Sequence, residues 1–98
     1  MVASYALLND VSVDMVFYII EGESSFDPKN VGDMDIVCKE TGKPVRARGL
    51  LQITQCYWPQ ISDAQAFDPE WSIKWALPLL KNREKCLQTW TLCRKYFR

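Results

Sequence analysis

Ninety-eight residues suit one compact interior and are too few for two, so the chain is expected to be a single domain spanning residues 1–98. Its 48% hydrophobic and 24% charged content is that of an ordinary globular chain, and twelve basic residues balance twelve acidic ones, which speaks against a dedicated nucleic-acid binder. The longest apolar run, Met15 to Ile20, falls far short of the roughly 20 residues a bilayer requires, so no stable membrane insertion is expected.

The start, Met1-Val2-Ala3-Ser4-Tyr5, lacks the positive region of an export signal, so the protein acts where it is made, leaves by another route or begins at a mature end. Four cysteines in so short a chain are compatible with two disulfides or with buried thiols, and three pairings are open. No His is present and Cys38, Cys56, Cys86 and Cys93 contain no close pair, so a zinc site is not expected.

In chain order, Ser4 to Asn9 could make a short helical turn. From Ser12, which can cap a first turn, Val13, Val16, Phe17 and Ile20 fall on one face of a helix that ends at Glu23. At 100° per residue Glu23 lies beside Val16 and Ile19 on the edge of the apolar stripe, whereas Glu21 lies on the flank of Asp14. Glu23 is then the partly buried acid and Glu21 the solvated one. A carboxylate in the last turn meets the negative end of the helix dipole, and apolar neighbours desolvate its charge, so both effects raise its pKa toward what a general acid needs.

Further on, Asp35–Lys39 and Pro44–Arg48 flank Glu40-Thr41-Gly42-Lys43 and read as a β-hairpin. One face would carry Ile36, Cys38, Val45 and Ala47, with Arg46 and Arg48 pointing away as exposed arginines or as ligands of a carboxylate. Leu50, Ile53 and Tyr57 sit at helical spacing, and such a helix stops near Trp58 because Pro59 restricts the residue before it. Asp68 as N-cap, Pro69 at the first helical position and Glu70 in the first turn start the next helix. Its stripe of Ile73, Ala76, Leu77 and Leu80 should pack against the Glu23 helix, with Pro78 weakening the last turns and Asn82 as the stop. Residues 83–98 are locally basic and read as a solvated helix or tail; as one helix, Cys86 and Cys93 would lie about 11 Å apart along its axis and could not be joined.

The blocks Ile20-Glu21-Gly22-Glu23-Ser24-Ser25-Phe26-Asp27-Pro28 and Gly49-Leu50-Leu51-Gln52-Ile53 together resemble the two signatures of the soluble lytic transglycosylase family of the lysozyme-like superfamily. The resemblance runs from about Ser12 to Leu80 and includes Phe67-Asp68-Pro69-Glu70-Trp71-Ser72-Ile73, with Ser72 where the family commonly has Asn. It implies an α+β, predominantly α-helical, lysozyme-like fold with a short β-hairpin lobe as one cleft wall. It also implies cleavage of the β-1,4 bond between N-acetylmuramic acid and N-acetylglucosamine in peptidoglycan, a reaction for which no metal or cofactor is expected.

In that alignment Glu23 is the catalytic acid and Ser24 its neighbouring serine, and Gly49, Leu51 and Gln52 form part of the glycan cleft. Tyr57 and Trp58 could stack on sugar faces or belong to the core. Gly32-Asp33 is similar to a Gly-Asp of goose-type lysozymes that holds the attacking water, so Asp33 is either a second catalytic group or a turn-capping aspartate. A Trp-Thr/Ser-x-Cys element in the family runs as a loop, which implies Cys86–Cys93 and leaves Cys38–Cys56. The family's later Ala-Tyr-Asn-Ala-Gly block is missing, which points to a minimal or virion-associated variant. The partner implied is the peptidoglycan glycan strand, met by a monomer that is periplasmic, secreted or carried on a virion.

Overall fold

The computed structural model describes residues 11–96, so the turn expected over Ser4 to Asn9 lies outside the described residues. Among the described residues, five helices and three short strands follow in chain order: α1 (Val13–Ser24), β1 (Val31–Gly32), β2 (Ala47–Arg48), β3 (Ile53–Thr54), α2 (Asp63–Ala66), α3 (Pro69–Lys81), α4 (Arg83–Thr89) and α5 (Thr91–Tyr96). The fold is α+β and mainly helical, as the resemblance implies.

Helix α1 begins where Ser12 Oγ accepts the Met15 amide at 3.3 Å. It buries Met15, Val16, Ile19, Ile20 and Ser24. Phe17, expected in the stripe, is 39% exposed, because the buried face is rotated toward Met15 and Ile19. Helix α3 starts and stops as its caps dictate: Asp68 accepts from the amides of Glu70 and Trp71, Pro69 fills the first position, and Asn82 ends it. Ile73, Ala76, Leu77 and Leu80 are all buried. They share a single core with α1, but the helix that lies directly along α1 is α5 rather than α3. Gly22 lies at that approach, where an added Cβ would meet the tip of the Leu92 side chain.

The β layer differs from expectation. Its strands run in the order β1-β2-β3, antiparallel throughout, with Gly32 opposite Ala47 and Arg48 opposite Ile53. The hairpin expected over residues 35–48 is reduced to one bridge, Val37 to Pro44, and Ile36 and Val37 are exposed. The true hairpin joins β2 to β3 through Gly49-Leu50-Leu51-Gln52, so the helix expected over Leu50 to Trp58 does not form. Gly49 (φ 76°) and Gln52 (φ 52°) are both left-handed, which no α-helix accommodates, and Gln52 N–H donates to Gly49 O across the turn.

The chain after Asn82 is neither one helix nor a loop. Trp90, extended at φ −125°, separates α4 from α5 and turns the two short helices so that Cys86 and Cys93 meet in a disulfide with Cα atoms 5.9 Å apart. Cys38–Cys56 is the second bridge, with Cα atoms 5.6 Å apart. Trp90 Nε1 donates to Leu51 O at 2.8 Å in the interior, tying this corner to the β hairpin. No helix among the described residues is long and apolar enough to cross a membrane.

Candidate active site

Glu23 sits in the last turn of α1, next to the point where the chain turns sharply away. Ser25 (φ 53°) and Phe26 (φ 62°) are consecutive left-handed residues, and Ser25 N–H closes the helix on Glu21 O at 2.9 Å. Two non-glycine residues in that region cost of order 1–3 kcal/mol each. They are held by Asp27 N–H to Ser24 O at 3.0 Å and by the Asp27 carboxylate, which accepts the Lys29 amide at 2.9 Å. The result is a stiff elbow directly after the acid.

The Glu23 side chain is half-buried while Glu21 is exposed, the division the helical geometry implies. Its pKa is pushed up from 4.5 to about 7, first by burial and second by the negative charge of Asp33. Glu23 is thus partly protonated near neutral pH, able to donate a proton and then to take one back.

Asp33 is exposed and left-handed at φ 56°, and its carbonyl accepts the amides of Ile36 and Arg46, both at 3.4 Å. Its backbone organises the long loop while its carboxylate faces Glu23 closely enough to be felt there.

The remaining sequence-derived residues separate into groups. Gly49 lies in the left-handed region, and a Cβ on it would overlap the Ala66 carbonyl, so glycine is required twice over. Gln52 is half-buried, with Nε2 donating to Gly49 O at 2.9 Å and to Asn30 O at 3.3 Å, and its Oε1 lies against Gly32. It stitches the loop carrying Asp33 to the β2–β3 turn. Ser24 and Leu51 do not line a cleft: Ser24 Oγ is buried and donates to Ile20 O at 3.1 Å, and the Leu51 side chain is in the core. Tyr57 is 69% exposed and borders a cavity to which neither Glu23 nor Asp33 contributes. Ser72 is buried and donates to Pro69 O at 3.1 Å, a bond within the helix start.

Arg48 is the largest departure from the sequence reading, which turned it outward. It is 1% exposed, with Nε donating to Ile53 O at 3.1 Å, Nη1 to Ile61 O at 2.8 Å and Asp63 Oδ1 at 3.0 Å, and Nη2 to Trp58 O at 3.3 Å. Arg46 reaches the same carboxylate in a two-point contact, 2.7 and 3.1 Å, and lies 5.8 Å from the Phe67 ring centroid. The two guanidinium groups hold Asp63 down from 3.8 to about 2. Both arginines are therefore consumed in clamping the β layer to the start of α2 and are not free to bind a ligand carboxylate. No local pattern signals this, because the carbonyl partners of Arg48 are set by the path of the chain five to thirteen residues later.

Among the described residues, the grouping of sulfur and carboxylate oxygen atoms compact enough to suggest a metal ion is Cys38, Glu40 and Cys56. Its two sulfurs are joined to each other and offer no thiolates. The sequence model of the family described as Transglycosylase SLT domain matches residues 1–95, and the chain belongs to that family. Neither a curated protein nor a solved structure matches it.

Proposed function

From membership of the transglycosylase SLT domain family, whose members act on peptidoglycan, we propose that this chain cleaves the β-1,4 bond between N-acetylmuramic acid and N-acetylglucosamine as a lytic transglycosylase, with Glu23 as its acid and base. The observation that carries this is a single half-buried carboxyl, pushed up to about 7, at a rigid helix end. Protonated Glu23 donates to the glycosidic oxygen as the C1–O bond breaks and positive charge develops on the sugar. The resulting carboxylate then takes the proton of the same sugar's 6-hydroxyl, whose oxygen closes onto C1 to give the 1,6-anhydro end. The carboxyl is protonated again by the return of that proton, and no water is consumed. One catalytic domain working as a monomer suffices for these steps. The two disulfides fit an oxidising, non-cytoplasmic setting, and we place the enzyme in the periplasm, outside the cell or on a virion.

The nearness of Asp33 favours a second reading, hydrolysis, in which its carboxylate holds a water against C1; inverting glycosidases place their two carboxyl groups roughly 6.5–9.5 Å apart for this purpose. Mass spectrometry of digested peptidoglycan decides between them. Anhydro ends are expected, with activity lost by at least about a hundredfold in Glu23→Gln and retained in Asp33→Asn. Reducing, water-added ends that vanish in Asp33→Asn would establish the hydrolase. Wall-degrading activity intact in Glu23→Gln would rule out Glu23 as the acid in both readings, and wild-type protein that binds strands without cutting them would leave a glycan-binding module.

A further inference from the structure

We infer that a second saccharide site lies apart from Glu23, in the cavity between the turn after β3 and the α3–α4 corner, and that its occupant is a sugar unit of the glycan strand bearing a carboxylate. The identity of that sugar rests on the peptidoglycan reading above; the cavity's character stands on its own geometry. The cavity measures about 550 Å³, within the range of roughly 300–1,000 Å³ that small-ligand sites occupy. None of its walls comes from α1, from the elbow after it or from the loop carrying Asp33.

The walls supply what a pyranose needs. Tyr57 presents an aromatic face at 69% exposure, a large apolar surface that the fold does not use for its own core. Beside it Trp58 forms a floor that cannot easily move, because its ring is held edge-on by Trp75 at 5.1 Å and Trp75 in turn by Trp90 at 6.1 Å. Leu79 completes the apolar side. Such a surface packs against the C–H face of a sugar ring, with the conformational loss confined largely to Tyr57 because Trp58 is already held.

The rim is polar. Thr89 Oγ1 donates to Lys85 O at 2.7 Å, which firms this edge of α4, and the exposed amide of Gln88 offers both a donor and an acceptor to hydroxyl or N-acetyl groups. Lys85 is the one ionisable cation among the lining residues, and among the described residues its ammonium forms no ion pair. A lone cation beside an apolar floor selects an anionic substituent, and the carboxylates of a peptidoglycan strand sit on its muramyl units or their peptides. A second grip on one polymer raises the local concentration of scissile bonds at Glu23 without any new contact there.

The test uses Glu23→Gln protein, which binds without cutting, co-sedimented with purified peptidoglycan. Adding Tyr57→Ala or Lys85→Glu is expected to raise Kd at least about fivefold, close to 1 kcal/mol, with the Lys85 effect fading as salt increases. Lys81→Glu, the same charge change outside the cavity, should leave Kd unchanged. Glycan strands stripped of their peptides separate the two carboxylate sources, because the muramyl lactyl carboxyl is an amide wherever a peptide is attached and is freed by stripping. A Lys85 effect that grows on stripped strands assigns it to the lactyl carboxylate, and one that shrinks or disappears assigns it to the peptide. Unchanged Kd in both cavity variants, at an unchanged melting temperature, overturns the inference and leaves the proposed function standing. Failure of the wild-type protein both to cut and to bind peptidoglycan overturns the proposed function instead, and the sugar assigned to this cavity with it.

Discussion

Ionising Glu23 works against the fold. Its pKa in the folded protein is about 7 against an ordinary 4.5, so the native state holds this proton more tightly than the unfolded chain does. Stability from this group is therefore full below about pH 4.5 and declines as pH rises through about 7. The loss reaches about 3 kcal/mol at most, taking 1.36 kcal/mol per pKa unit. Glu23→Gln carries a neutral side chain at every pH and should escape that loss. Thermal melts across pH are expected to show the variant more stable than wild type by about 1–3 kcal/mol above pH 7, the two converging below about pH 4. A constant offset at all pH values would mean that Glu23 does not titrate as described. Asp63 behaves in the opposite sense: its carboxylate, lowered to about 2 by Arg46 and Arg48, supports the fold above its unfolded pKa of 3.8, and that support disappears as pH falls through about 2.

Between elements, the β2–β3 turn fixes the distance from the β layer to α2, and Gly49 is its tightest point. Gly49→Ala must adopt a left-handed φ and displace the Ala66 carbonyl, which should cost at least about 2 kcal/mol in urea unfolding. Gly42→Ala is the matching control, because Gly42 is also left-handed at φ 72° but has no atom within 4 Å of the added Cβ. Its cost should stay near 1 kcal/mol, the conformational part alone. Equal costs at the two positions would show that the Ala66 contact is not what the glycine serves.

How far these elements could be read beforehand follows from where their information resides. Helices α1 and α3 were legible because cap and stripe are local: Ser12 and Asp68 mark the starts, and the buried residues recur at three and four. Glu23 could be chosen over Glu21 by the same periodicity. The β layer was not legible, since its two-residue strands are too short for alternation, and apolar residues spaced like a helix conceal left-handed turns at Gly49 and Gln52. The inward course of Arg48 depends on carbonyls of Ile53, Trp58 and Ile61, and Ser24 and Leu51 turned inward where motif position alone would have turned them to a ligand. The break at Trp90 follows from long-range packing, its indole held by Leu51 from the far side of the core.

On the scale of the whole molecule, one core of about a hundred-residue chain is modest, and the two disulfides supply part of what larger domains gain from burial. In the chain-entropy account, Cys38–Cys56, closing a separation of 18 residues, contributes about 3 kcal/mol. Cys86–Cys93, closing 7, contributes about 2 kcal/mol. Replacing each pair by alanine should lower the denaturation midpoint, further for Cys38–Cys56 than for Cys86–Cys93; the reverse order in urea unfolding would show that loop length does not set the difference. The bridges also act in different places: the first ties the exposed loop to the end of β3, and the second sits at the bend around Trp90. The chain of indoles from Trp58 through Trp75 to Trp90 passes from the β-layer turn to that bend, with rings at 85° and 77° to their neighbours. Coupled, asymmetrically fixed chromophores of this kind give strong near-ultraviolet circular dichroism that vanishes when tertiary packing loosens even though helices persist. The protein thus carries an intrinsic optical gauge, one that registers whether its last two helices are seated on the rest of the chain.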